Sequence, residues 1–86
     1  MECSVGQAVY HMSQRPIKRS LTLKGHRTSV SLETPFWNAF KTIAGHKGKA
    51  INQLAAEIDA ERGDNMGLAS AIRLHVLKYY QSVTAL

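Results

Sequence analysis

Between Ile17 and Leu32, in IKRSLTLKGHRTSVSL, apolar and polar residues alternate for long stretches, the period of a half-buried β-strand. Leu21 and Leu23 share one side. In the more strongly patterned segment, Arg27 to Leu32, Thr28, Val30 and Leu32 share a side and alternate with Ser29 and Ser31. Gly25 either bends the chain between two strands or interrupts one. From Thr34 the period changes. Thr34 suits an N-cap and Pro35 the first helical position. Phe36, Trp37, Phe40, Ile43 and Ala44 then follow the spacing of a helix with one buried face, which Gly45 and Gly48 end. A second helix is expected from about Ala50 to Arg62, with Ile51, Leu54, Ala55 and Ile58 inward, stopping at Gly63-Asp64-Asn65. A third runs from about Gly67 to Ser82, with Leu68, Ala69, Ile72, Val76, Tyr79 and Tyr80 on its best face. Leu74 and Leu77 widen its apolar surface, which implies a second contact, with another subunit.

Residues 1–16, MECSVGQAVYHMSQRP, hold no sustained period and close on proline. They read as a flexible N-terminal arm ahead of one domain spanning residues 17–86.

A six-residue strand followed only by helices leaves its backbone donors and acceptors without an edge to pair with. It needs a second strand. Either Leu21 to Lys24 folds back as a hairpin, or the same strand of a twin chain pairs antiparallel across a two-fold axis. In the second arrangement Thr28, Val30 and Leu32 face the helices, while Arg27, Ser29 and Ser31 face outward on a two-stranded ribbon. Such a ribbon fits the major groove of B-DNA and can read base edges there.

Composition sharpens this reading. A chain of 86 residues makes one domain at most and buries too little surface to be comfortably stable alone, so oligomerisation is expected. The net charge of +5 favours a polyanionic partner, and it is unevenly spread: residues 15–49 hold eight of the eleven basic residues against one acid, Glu33. Residues 57–64 hold four of the six acids, which predicts a positive end and a negative one. Cys3 is the only cysteine, so the chain offers no internal disulfide and fits a reducing, cytoplasmic setting. No apolar run approaches the roughly 18 to 20 residues of a membrane span, and no membrane partner is expected.

A strand with alternate polar residues, a capped helix, a glycine-bearing turn and a second helix opening as KGKAINQL together resemble the ribbon-helix-helix repressors of the Arc and MetJ type. HRTSVSLETPFW followed by AINQLAAEIDAER and an extra C-terminal helix is similar to a bacterial group of short ribbon-helix-helix proteins. The resemblance covers about Lys18 to Tyr80. It implies a mainly α fold with a short β-ribbon, an intertwined homodimer with an intermolecular antiparallel two-stranded sheet, and a transcriptional regulator bound to double-stranded DNA. By strand phase Arg27, Ser29 and Ser31 match the base-contacting positions; Arg27 suits guanine O6 and N7, and the serines can donate or accept. The start of the second helix, Lys49, Ala50, Ile51 and Asn52, matches the place where the family clamps a phosphate with backbone N–H groups, helped by the positive end of the helix dipole. Lys24 and His26 are further expected phosphate contacts. Ala50 departs from the family's usual Ser or Thr cap, which predicts a weaker helix start.

Other chemistries are poorly supported. The four histidines lack a metal-ligand spacing, so neither metal nor cofactor is expected. GHKGKA lacks the first glycine and the Ser or Thr of a nucleotide loop, with Ile43 and Ala50 in their places. Trp37 and Phe40 stand at helical spacing and are assigned to the core rather than to base stacking. No Ser-His-acid set can be singled out, so no enzyme is expected. The main alternative keeps the fold but makes it a protein-interaction module, an antitoxin-like dimer that binds a partner through the C-terminal helix or the N-terminal arm.

Overall fold

A computed structural model describes residues 15–84. The predicted N-terminal arm lies almost wholly outside them. Two strands, β1 (Ile17–Leu23) and β2 (His26–Leu32), precede three helices, α1 (Thr34–His46), α2 (Ile51–Glu61) and α3 (Leu68–Thr84).

The strands pair antiparallel within the chain, with Leu23 opposite His26 and Ile17 opposite Leu32. Of the two arrangements open to the sequence, the hairpin is the one formed in the single chain. The two-residue turn explains why. Lys24 has φ 53° and Gly25 φ 84°, the paired positive φ values of the turn whose twist matches that of the flanking strands. Gly25 therefore bends the chain and does not merely interrupt a strand.

Glu33 alone links β2 to α1. It occupies the N-cap position, its carbonyl accepting the Trp37 N–H at 2.9 Å, so the helix starts one residue before the sequence pattern suggests. Gly45 lies inside the last turn, and Gly48, at φ 68°, makes the stop. There the Lys49 N–H reaches the Ala44 carbonyl at 2.9 Å and the Gly48 N–H reaches that of Gly45 at 3.1 Å, a Schellman ending that satisfies carbonyls the helix leaves open.

The core gathers one stripe from each element. Leu21, Val30 and Leu32 come from the ribbon, Phe40, Ile43 and Ala44 from α1, Leu54, Ala55 and Ile58 from α2, and Ala71, Ile72 and Val76 from α3. Burial at helical spacing supplies the main stabilisation, about 1.5 to 3 kcal/mol for each large apolar side chain taken out of water. Phe36 and Trp37 pack against this core only in part. Leu74 and Leu77 of α3 stay exposed at 40% and 51%, the extra apolar width expected there, and Val83, past the helix end that the sequence suggests, is exposed as well. Tyr80, placed by its spacing on the inward face, is also exposed, whereas Ala71 is buried.

Candidate nucleic-acid interface

The hairpin register divides fourteen strand positions between two faces. Ile17, Arg19, Leu21, Leu23, His26, Thr28, Val30 and Leu32 fall on the side that carries the buried residues. Lys18, Ser20, Thr22, Arg27, Ser29 and Ser31 fall on the other, and all six are exposed. Arg27, Ser29 and Ser31 thus share an outward face, as strand phase predicts. Thr28 has the inward phase but lies opposite Leu21 near the open tip and is exposed.

Both edges of the ribbon carry a side-chain cap. A two-residue turn makes Leu23 and His26 the hydrogen-bonded pair that closes the hairpin, so the backbone groups of Thr22 point sideways, away from β2. Asn52, in the first turn of α2, accepts the Thr22 N–H on Oδ1 at 3.0 Å. This bond holds the helix start against the ribbon. On the other edge Arg73 of α3 donates through Nη2 to the Ser31 carbonyl at 3.3 Å.

The start of α2 is electrostatically open. Ala50 is the N-cap, with extended backbone and no side-chain cap, and the first intrahelical bond runs from Leu54 N–H to the Ala50 carbonyl at 3.0 Å. The N–H groups of Ile51, Asn52 and Gln53 therefore have no acceptor within the helix, and the dipole adds partial positive charge where they converge. Lys49 sits beside them, but its ammonium is drawn along the helix to Glu57 Oε1 at 2.6 Å. Its backbone N–H is also committed, to Ala44.

The remaining basic residues separate by face. Lys24 and His26 stand at the exposed hairpin tip, beside Arg27. The three line an open cleft of about 410 Å³ together with Leu23, Asp59 and Arg62. Asp59 and Arg62 pair with each other along one wall of it, at the end of α2, at 2.6 Å. Arg19 turns the other way, opposite Val30 on the core side. Its Nη2 donates to Thr34 Oγ1 at 3.0 Å, and its guanidinium lies 5.5 Å from the centre of the Trp37 ring. The acidic segment is not uniformly negative, because Glu57 and Asp59 are matched by Lys49 and Arg62.

Three roles were left unassigned by the sequence pattern. Asn52 as a ribbon-edge cap and Arg73 as a clamp depend on contacts 30 and 42 residues apart, with no local signal. The polar phase of β1 has a signal, the alternation of Lys18, Ser20 and Thr22, but Arg19 obscures it by placing a charge on the apolar side.

Among the described residues no group of three His, Cys, Asp or Glu side chains is placed to hold a metal ion, and no helix is long and apolar enough to cross a membrane. Comparison with curated proteins and with solved structures gave no match. The family model described as "ribbon-helix-helix domain" matches residues 16–80, which takes in the whole hairpin and most of the three helices. The chain therefore belongs to the ribbon-helix-helix family, a non-enzymatic fold whose members are in general DNA-binding transcriptional regulators.

Proposed function

We propose that this protein is a transcriptional regulator, acting as a repressor, that binds double-stranded DNA by laying the polar face of its ribbon in the major groove. One observation carries the reading: Arg27, Ser29 and Ser31 stand exposed on one face while Val30 and Leu32, between and beside them, are buried. In the groove Arg27 forks onto guanine O6 and N7, and the serines accept or donate at neighbouring base edges. The free N–H groups at Ile51 and Asn52 hold a phosphate of the flanking backbone, with Ala50 leaving them uncapped. Lys24 and His26 meet phosphates beyond the hairpin tip. Lys49 serves as a nearby charge, since its ammonium already neutralises Glu57.

The active form in this proposal is a cytoplasmic homodimer. Exposed Leu74 and Leu77 on α3 provide apolar surface for a twin chain, and a lone domain of this size gains stability from such burial.

A gel-shift series tests the proposal. Binding to duplex DNA should weaken steeply between about 50 and 200 mM salt, as counterions released by the basic face are recaptured. Failure to shift any duplex at the low-salt end would remove it.

A second reading, a protein-interaction dimer of the antitoxin kind, is favoured by the same exposed apolar residues of α3. DNA binding that persists unchanged when those leucines are covered by a protein partner would support both roles in one molecule.

A further inference from the structure

We infer that β1 flanks the reading strand as a phosphate-binding strand: Lys18, Ser20 and Thr22 contact the DNA backbone along the wall of the major groove, beside the start of α2, and leave base reading to β2. The inference rests on the proposed DNA binding and homodimer, and goes beyond them by giving the first strand a role.

The two edges of the hairpin differ. With Leu23 and His26 as the closing pair, Arg27, Ser29 and Ser31 are the β2 residues whose backbone groups point away from β1. That edge is where a twin chain can add its own β2. Antiparallel pairing about Ser29 sets Arg27 opposite the partner's Ser31 and keeps the polar side chains of both β2 strands on one face. The Ser31 carbonyl, met by Arg73 at 3.3 Å, has a second lone pair for that ladder. The outer edge of β1 is closed instead. Asn52 takes the Thr22 N–H there at 3.0 Å, which blocks a further strand. The sheet of the dimer therefore has the two β2 strands in the middle and a β1 strand on each side.

Width decides what β1 meets. Strands about 4.8 Å apart put each β2 about 2.4 Å from the two-fold axis and each β1 about 7 Å from it. A major groove about 12 Å wide has walls about 6 Å from its midline, so β2 enters the groove and β1 lies over its phosphate wall. Lys18, Ser20 and Thr22 share the exposed face with Arg27, Ser29 and Ser31 and point the same way, toward the DNA. Their chemistry fits the backbone, because an ammonium and two hydroxyls all donate to phosphate oxygens. The Asn52 bond also sets the start of α2, with its free N–H groups, just outside Thr22. Strand side chains and helix N–H groups thus converge on one stretch of DNA backbone.

Lys18→Gln, Ser20→Ala and Thr22→Val, all on the exposed face, test this in the full chain. Duplexes selected from a random pool should carry the same motif for each variant as for the unaltered protein. Lys18→Gln should weaken binding to every duplex and reduce the salt slope by about one unit. Thr22→Val, which keeps the N–H bonded to Asn52, should weaken binding to every duplex by about fivefold. It should also erase the sensitivity of binding to one neutral methylphosphonate linkage, which a mere loss of stability would leave in place. If Ser20→Ala or Thr22→Val relaxes a position of the motif, or if the Lys18 and Thr22 variants match the unaltered protein in affinity and salt slope, this inference falls. The DNA-binding proposal then still stands where Arg27→Ala relaxes a position. If the unaltered protein selects no duplex at all, both fall.

Discussion

Arg73 grips Glu33 with two parallel hydrogen bonds, Nε to Oε1 at 2.9 Å and Nη2 to Oε2 at 3.0 Å, across 40 residues of sequence. The pair fastens α3 to the single residue that joins the ribbon to α1. Arg73 also lies 5.8 Å from the centre of the Phe36 ring. Both partners are partly exposed, 30% and 21%, which screens the charge contribution, but the bidentate geometry retains more than an ordinary surface pair. Arg73→Met should lower unfolding stability by about 1 to 2 kcal/mol, read from urea melts. No loss would mean that α3 is held by its apolar stripe alone.

Stability should fall on acidification in two stages. Burial holds the His75 imidazole below its ordinary 6.5, aided by Lys47 and then Lys49 and opposed by Glu61 and Glu57. Its Nε2 is buried without a hydrogen-bond partner, so a proton there would bring an unmatched charge inside. Because the folded form takes the proton at lower pH than the unfolded chain, this contribution is complete above about pH 6.5 and declines as pH drops from there toward the folded pKa. Glu33 is held below its ordinary 4.5 by a hydrogen bond from its own backbone N–H, against burial, with Arg73 adding to the shift. Its contribution is present above 4.5 and is lost as pH falls through the depressed folded value. Urea melts from pH 7.5 down to 3.5 should show both stages, and His75→Gln should abolish the upper one.

Much of the ribbon was legible in the sequence because Val30 and Leu32 alternate with serines, and a strand buried on one face has only one phase that hides its apolar residues. The turn was harder. Lys24 is not a residue that favours φ above zero, so Lys-Gly disguised a hairpin that Asn-Gly would have announced. Arg19 similarly disguised β1, since its inward position is explained only by Thr34 and Trp37. The helix start at Lys49 to Asn52 was legible from the glycine stop and the apolar spacing that follows. The diversion of Lys49 to Glu57, eight residues on, was not, because it lies beyond the one-turn neighbours that helical spacing relates.

The strained Lys24 gives a variant in which fold and function move in opposite directions. Lys24→Asn should raise stability by about 1 kcal/mol, because Asn tolerates the left-handed conformation that a long side chain does not. The same change removes a cation at the hairpin tip, so DNA affinity should fall and the salt slope should shrink by about one unit. Thermal melts and salt-dependent titrations check the two halves separately.

Asn52 offers a similar separation at the start of α2. Asn52→Asp keeps an oxygen for the Thr22 N–H and places a negative charge at the positive end of the helix dipole, which should leave the fold unchanged or up to about 1 kcal/mol more stable. A phosphate held at that helix start would be repelled. Affinity for duplex DNA should drop about tenfold or more, against an unchanged or higher melting temperature. Equal affinity in the variant would place the phosphate contacts elsewhere on the molecule.

Base reading by the outward side chains of β2 is decided most directly by selecting duplexes from a random pool with the unaltered protein and with Arg27→Ala, at one fixed salt concentration. The unaltered protein should enrich a motif containing a guanine, and the variant should lose preference at that position by about 1 to 3 kcal/mol while keeping the rest of the motif. An unchanged motif in the variant, or a uniform loss at every position, would contradict a ribbon that reads bases through Arg27.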